Sequence, residues 1–135
     1  MTANAIFRAV LRLAANHHQK RPIGDHLDIG PGRGELIQLF KKTFGSTSSA
    51  CDCTLDLMEY PNQTVHLVYL NKEGGLPYKD AFFDAVTATE LVEHLENYRA
   101  LLREAYRVLR PGGVGIVSTP NVLNWNSSLR ILWFG

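Results

Sequence analysis

At 135 residues and 45% hydrophobic content, the chain has the size and composition of one domain with a real core. Its 14 Lys and Arg against 13 Asp and Glu leave a net charge of +1, which argues against the broad basic surface of a dedicated nucleic-acid binder and leaves room only for a local basic patch. The only cysteines, Cys51 and Cys53, make neither a disulfide framework nor a four-ligand zinc site, so a reduced, cytoplasmic location is expected.

No run approaches the roughly 18 consecutive apolar residues of a membrane span. In chain order, Ile6, Phe7, Val10, Leu11 and Ala14 recur at helical spacing and predict a helix over residues 3–19. Arg8 and Arg12 interrupt its apolar stretch, unlike the core of a signal peptide. His17 and His18 end it, and Pro22 and Gly24 mark a boundary. A short strand, 26–29, runs into a glycine cluster. A helix over 35–42 follows, with Leu36, Ile37, Leu39 and Phe40 on its face and Gly45 closing it. Strands are predicted at 49–54 and 65–70, then a loop through Gly74, Gly75 and Pro77, then a strand at 83–88. The clearest helix, 98–110, places Leu101, Leu102, Ala105, Val108 and Leu109 together; Pro111-Gly112-Gly113 stops it before a fifth strand at 114–118. Such alternation predicts an α/β fold with a mainly parallel sheet. Its ligands belong outside the carboxyl ends of the strands, where strand order reverses.

The most informative stretch is Leu27-Asp28-Ile29-Gly30-Pro31-Gly32-Arg33-Gly34-Glu35. Glycines at a strand-to-helix turn permit positive φ and let a ligand approach the backbone. A dinucleotide site favours G-x-G-x-x-G, with pyrophosphate on the helix N-terminus. Here the spacing is G-x-G-x-G, and acidic Glu35 takes the last glycine's place. The pattern argues against NAD.

That stretch resembles the first motif of class I S-adenosylmethionine-dependent methyltransferases. Four further segments resemble the family in the same order: Leu76-Pro77-Tyr78-Lys79-Asp80 leading to Phe83-Asp84, Thr89-Glu90-Leu91-Val92-Glu93-His94-Leu95, Leu109-Arg110-Pro111-Gly112-Gly113, and Ser118-Thr119-Pro120-Asn121. The resemblance implies a Rossmann-like doubly wound, mainly parallel sheet of order 3-2-1-4-5 with S-adenosylmethionine as cofactor. Asp28, Gly30, Pro31, Gly32 and Gly34 would then line it. Asp52, followed by Cys53, would accept from both ribose hydroxyls, since a vicinal diol suits the two oxygens of a carboxylate; Asp56 is the fallback. Leu70 and Asn71 fall on the adenine side, and Thr89 and Glu90 at the end of strand four. One departure stands out: the family's "D-L-N" run is Tyr69-Leu70-Asn71 here, so an adenine-binding acid has become tyrosine.

Displacement at an activated sulfonium needs chiefly that nucleophile, methyl and sulfur be held in line, so no catalytic triad is required. A hydroxyl acceptor gains from a general base, for which His94 is the candidate. Glu90, Glu93 and His94 also resemble a divalent-metal cluster of some family members, because residues three or four apart share a helix face. No fourth ligand accompanies them, and no metal is assigned. An N-terminal helix in this family often closes over the cofactor, which makes His17 and His18 candidates for the substrate border. A single domain is expected: N-terminal helix 1–23, core 24–120 and apolar tail 121–135. The resembled fold ends in a strand 6–strand 7 hairpin that this sequence is expected to lack, so the tail either leaves strand five exposed or covers it, alone or in a homodimer. The expected partner is a small-molecule methyl acceptor, oxygen first, with no nucleic acid or membrane. A non-catalytic cofactor-binding module is the alternative, and a nucleotide-linked oxidoreductase a distant third.

Overall fold

The computed structural model describes residues 3–70, 75–119 and 130–134. In chain order the elements are α1 (Ala3–Lys20), β1 (Asp25–Ile29), α2 (Glu35–Phe44), β2 (Thr47–Asp52) and β3 (Val65–Leu67). Then come β4 (Phe83–Thr89), a 3-10 turn (Val92–His94), α3 (Tyr98–Val108), β5 (Leu109–Thr119) and β6 (Arg130–Phe134). The sheet order is β3-β2-β1-β4-β5-β6, parallel except for β6. Its first five strands follow the expected 3-2-1-4-5 order.

Side chains alternate across each strand, so the sheet feeds two apolar layers. On one face Ile6, Val10 and Ala14 of α1 and Leu36 and Phe40 of α2 pack on Ala85, Val114 and Ile116. On the other, Leu101, Ala105 and Val108 of α3 pack on Leu27, Ile29, Val86, Ala88 and Val117. Gly45 ends α2 as expected, with φ 67 and its N–H on the Lys41 carbonyl at 2.9 Å.

Several boundaries differ from the sequence reading. β3 stops at Leu67 because its partner β2 ends at Asp52, whose carbonyl takes the Val68 N–H at 2.8 Å. α3 ends at Val108, where Leu109 turns extended (ψ 136) and pairs with Phe83. β5 therefore starts earlier than expected and carries a register shift between Phe83 and Ala85. The tail supplies a strand after all: β6 pairs antiparallel with Gly115–Thr119 and fills the edge on which a second copy could have docked.

Two ion-paired clasps position the loops. Arg107 of α3 donates to the Leu76 and Tyr78 carbonyls at 3.0 and 2.9 Å and to Asp80 at 2.6 Å. Asp84 accepts from the Gly24 and Asp25 amides, both at 2.9 Å, and from Arg110. One of the resembling segments, Leu76–Asp80 with Phe83-Asp84, thus serves the scaffold. No helix among the described residues is long and apolar enough to cross a membrane.

Candidate cofactor site

The glycine loop forms because β1 must turn at once into α2. Gly30 leaves the strand with φ 69, its N–H held by the Cys51 carbonyl at 2.8 Å. Gly34 opens α2 at φ 88, where a Cβ would lie 2.6 Å from Met58 Sδ and 2.9 Å from Tyr60 Cβ. Only glycine fits there. Between them, a Cβ on Gly32 would meet no atom within 4 Å among the described residues. The middle of the loop faces open space.

Two carboxylates flank this loop at adjacent strand ends. Asp28 of β1 is 1% exposed; its Oδ1 accepts from the Thr87 hydroxyl at 2.8 Å, and its buried Oδ2 has no partner among the described residues. Burial pushes its carboxyl up to about 7, against the opposing Thr87 bond and with a further push from the Asp52 charge. Asp52 ends β2, 8% exposed, with Oδ1 accepting the Cys53 N–H at 2.6 Å. Cys51, buried on the other face of β2, is pushed up to about 12 by desolvation and by both acids.

The remaining predicted positions spread around this centre. Pro31 is half-buried in the loop and Cys53 is exposed. Thr89 is half-buried at the last position of β4, and Leu70 packs on the core beneath α3. Glu90 is exposed in the left-handed region at φ 52, uncommon for a side-chain-bearing residue. Its N–H is held by the Ser118 carbonyl and hydroxyl, both at 3.0 Å. Asn71, Pro120 and Asn121 lie outside the described residues. His94 stands exposed beyond the carboxyl end of β4, 3.7 Å from Glu93.

Two expectations change. The Glu90–His94 segment is a single 3-10 turn that begins after Glu90, so the shared helix face proposed for Glu90, Glu93 and His94 does not form. No group of three or more potential ligands that could hold a metal occurs among the described residues. His17 and His18 sit at the end of α1 that leads into β1, beside the amino ends of the strands. His18 Nδ1 accepts the Ile23 N–H at 3.0 Å, so it shapes the turn into β1 rather than the substrate border.

Sequence reading missed a chain of side chains behind Asp28. His26, fully buried and stacked on Phe40, is 2.8 Å from Ser48 Oγ through Nδ1 and 2.8 Å from Thr87 Oγ1 through Nε2. Burial lowers its pKa to about 3. Strand alternation already put His26 and Asp28 on one face; the partners came from β2 and β4. A cavity of about 650 Å³ lies apart from the glycine loop, between Ile37 and Lys41 of α2, the start of β2 and residues 60–64. It exists because β3 pairs only with Ala50–Asp52 and leaves the start of β2 without a strand beyond it.

Residues 27–117 match the family described as "Methyltransferase domain". The sarcosine/dimethylglycine N-methyltransferase of Halorhodospira halochloris is 31% identical over 132 residues, covering 87% of this chain and 45% of that enzyme. The mitochondrial ubiquinone biosynthesis O-methyltransferase of Mus musculus is 24% identical, covering 92% and 36%. A SAM-dependent methyltransferase structure from Archaeoglobus fulgidus superposes with TM-score 0.69 at 27% identity, covering 89% of this chain and 54% of that one. The chain spans less than half the length of either curated relative. With the motifs, the sheet order and this match in agreement, the chain belongs to the class I S-adenosylmethionine-dependent methyltransferase family.

Proposed function

We propose that the chain binds S-adenosylmethionine across the carboxyl ends of β1, β2 and β4, and that its methyl group passes to a small molecule, oxygen being the first choice of acceptor atom. The observation that carries this is the open glycine loop set between two strand-end carboxylates, one with a buried oxygen that has no partner among the described residues. When bound, the cofactor supplies an activated methyl on a sulfonium. Asp52 suits the ribose diol, because its carboxylate can accept two hydroxyl protons. The free oxygen of Asp28 suits a cationic group, since a buried charge is tolerated when paired. Gly32 leaves room for close approach to the backbone.

His94 is the candidate base for a hydroxyl acceptor, placed in solvent just past β4 where it can exchange a proton. The two curated relatives are an N- and an O-methyltransferase, so the atom rests on His94 alone. A second reading, a cofactor-binding module without turnover, is favoured by Tyr69 standing where the family's adenine-binding acid would be.

Calorimetric titration with S-adenosylmethionine and S-adenosylhomocysteine, NADH serving as control, tests the site. Micromolar binding that disappears in Asp52→Ala is expected. Binding of NADH alone, or of nothing by a folded chain, would sink the reading. Turnover on a panel of amine and phenol acceptors then separates enzyme from module.

A further inference from the structure

We propose that His26, Thr87 and Ser48 are positioning residues for the cofactor. Together they form a buried relay that holds one oxygen of Asp28 and presents the other to the positive charge of the ligand. The proposal rests on the cofactor reading above, but the relay can be tested without ligand.

The argument starts from proton bookkeeping. His26 is fully buried and its pKa is lowered, so the ring is neutral and carries one N–H and one acceptor nitrogen. Thr87 has a single hydroxyl proton. Its Oγ1 is 2.8 Å from Asp28 Oδ1 and 3.5 Å from the Leu27 carbonyl, and the shorter, charge-assisted bond wins. With its proton on Asp28, Thr87 can only accept from His26, which fixes the ring proton on Nε2. Nδ1 is then the acceptor and takes the Ser48 hydroxyl at 2.8 Å. Every donor in the row Ser48–His26–Thr87–Asp28 points the same way, toward the carboxylate.

That polarity has a consequence for Asp28. Aligned bonds polarise one another in a low-dielectric interior, so the relay favours the ionised carboxylate against the burial that opposes it. Asp52 of β2 lies on the same face of the sheet and acts with burial, against ionisation, while Cys51 of the same strand points to the other face. If Asp28 is instead protonated on Oδ1, the acid donates to Thr87, whose own proton must leave that bond for the Leu27 carbonyl or for His26. The relay thus senses the charge of Asp28. It also fixes the rotation of the carboxylate, because the bond to Thr87 decides which oxygen stays free.

A buried polar row that only satisfies itself would predict the same distances, so the test must separate stability from charge. Thr87→Val keeps the shape and removes the hydroxyl; Thr87→Ser restores it. In the unliganded chain the carboxyl of Asp28 is followed by carbon-13 NMR from pH 5 to 9. The midpoint should rise by about one unit or more in Thr87→Val, rise less in His26→Leu, and return in Thr87→Ser. At pH 7, S-adenosylhomocysteine should bind Thr87→Val at least about fivefold more weakly than the parent, as the ionised share of Asp28 falls, with Thr87→Ser close to the parent. A Thr87→Val midpoint equal to the parent's would overturn the relay, whatever happens to the melting temperature. An unshifted midpoint in His26→Leu would remove His26 from it. Failure of the parent chain to bind would count against the cofactor reading, and the unliganded titration would still decide the relay.

Discussion

Arg107 Nε lies 2.6 Å from Glu104 Oε2 one turn back along α3, and that pair anchors the Leu76–Asp80 loop. Glu104 Oε1 takes the Leu76 N–H at 2.6 Å, while the guanidinium of Arg107 takes the Leu76 and Tyr78 carbonyls. The loop in turn sets Tyr78, whose hydroxyl donates to the Ala50 carbonyl at 3.1 Å and meets His66 at 2.9 Å. A helix far from the glycine loop in sequence therefore fastens the strand that ends in Asp52.

Replacing Arg107 should expose this dependence. Arg107→Ala removes the guanidinium bonds to Glu104 and to the Leu76 and Tyr78 carbonyls, and we expect a loss of about 2 kcal/mol in urea unfolding. That figure already discounts the solvent-exposed Asp80 contact. Arg107→Lys should recover only part of it, since an ammonium lacks the fork that spans these acceptors.

The glycine loop predicts a ranking. Gly34→Ala meets a left-handed backbone and the Met58 sulfur together, and should cost more than about 2 kcal/mol of stability. Gly32→Ala meets the backbone penalty alone, about 1 kcal/mol. It should fold, yet bind S-adenosylhomocysteine at least about tenfold more weakly, because the new methyl occupies the open space. Urea melts and calorimetry on both variants check this ranking.

The two buried titratable groups of β1 should act against each other with pH. Asp28 ionises near 7 in the fold and near 3.8 when free, so between those values only the native state holds its proton, and stability falls as pH rises. His26 titrates near 3 in the fold against 6.5 when free, so only the unfolded state takes its proton there, and stability rises with pH. The opposing slopes overlap from about pH 4 to 6.5. In Asp28→Asn the His26 slope should stand alone, up to roughly 1.4 kcal/mol per pH unit relative to the parent. Denaturant melts at pH 4.5, 5.5 and 6.5 measure that difference.

The cysteines offer a check on ligand placement. Cys53 is exposed beside Asp52, and Cys51 is fully buried with its thiol pushed up to about 12. Although the Asp52 hydrogen bond also raises the Cys53 thiol, its access decides the order. A maleimide should label one thiol in the native chain and the second only in denaturant. S-adenosylhomocysteine should slow the first labelling, and Cys53 reacting at an unchanged rate under saturating ligand would place the ligand elsewhere.

Much of the scaffold was legible in the sequence because it is written in local periodicity. The apolar spacing of α1 and α3, the glycines that bound α2, and the β-rich runs each report on a few neighbouring residues. The ends of β3 and α3 escaped, because they were set by a partner: β3 stops where Asp52 ends β2, and α3 stops where Leu109 finds Phe83. The segment after Glu90 had helical spacing but formed only a 3-10 turn. His17 and His18 could be read as site residues only until the direction of α1 was known.

By itself, the sequence determined the order of strands and helices up to β5, the glycine turns at Gly30, Gly34 and Gly45, and the placing of Asp28 at the end of the first strand. Local steric rules and short-range patterning suffice for each. Only the tertiary structure decided that Ser48, His26, Thr87 and Asp28 form one hydrogen-bonded row, that Arg107 clasps the Leu76–Asp80 loop, and that the tail pairs with β5. Those contacts join residues 22 to 61 positions apart in the row. They depend on the register with which β1 lies between β2 and β4, which long-range packing sets and local pattern does not encode.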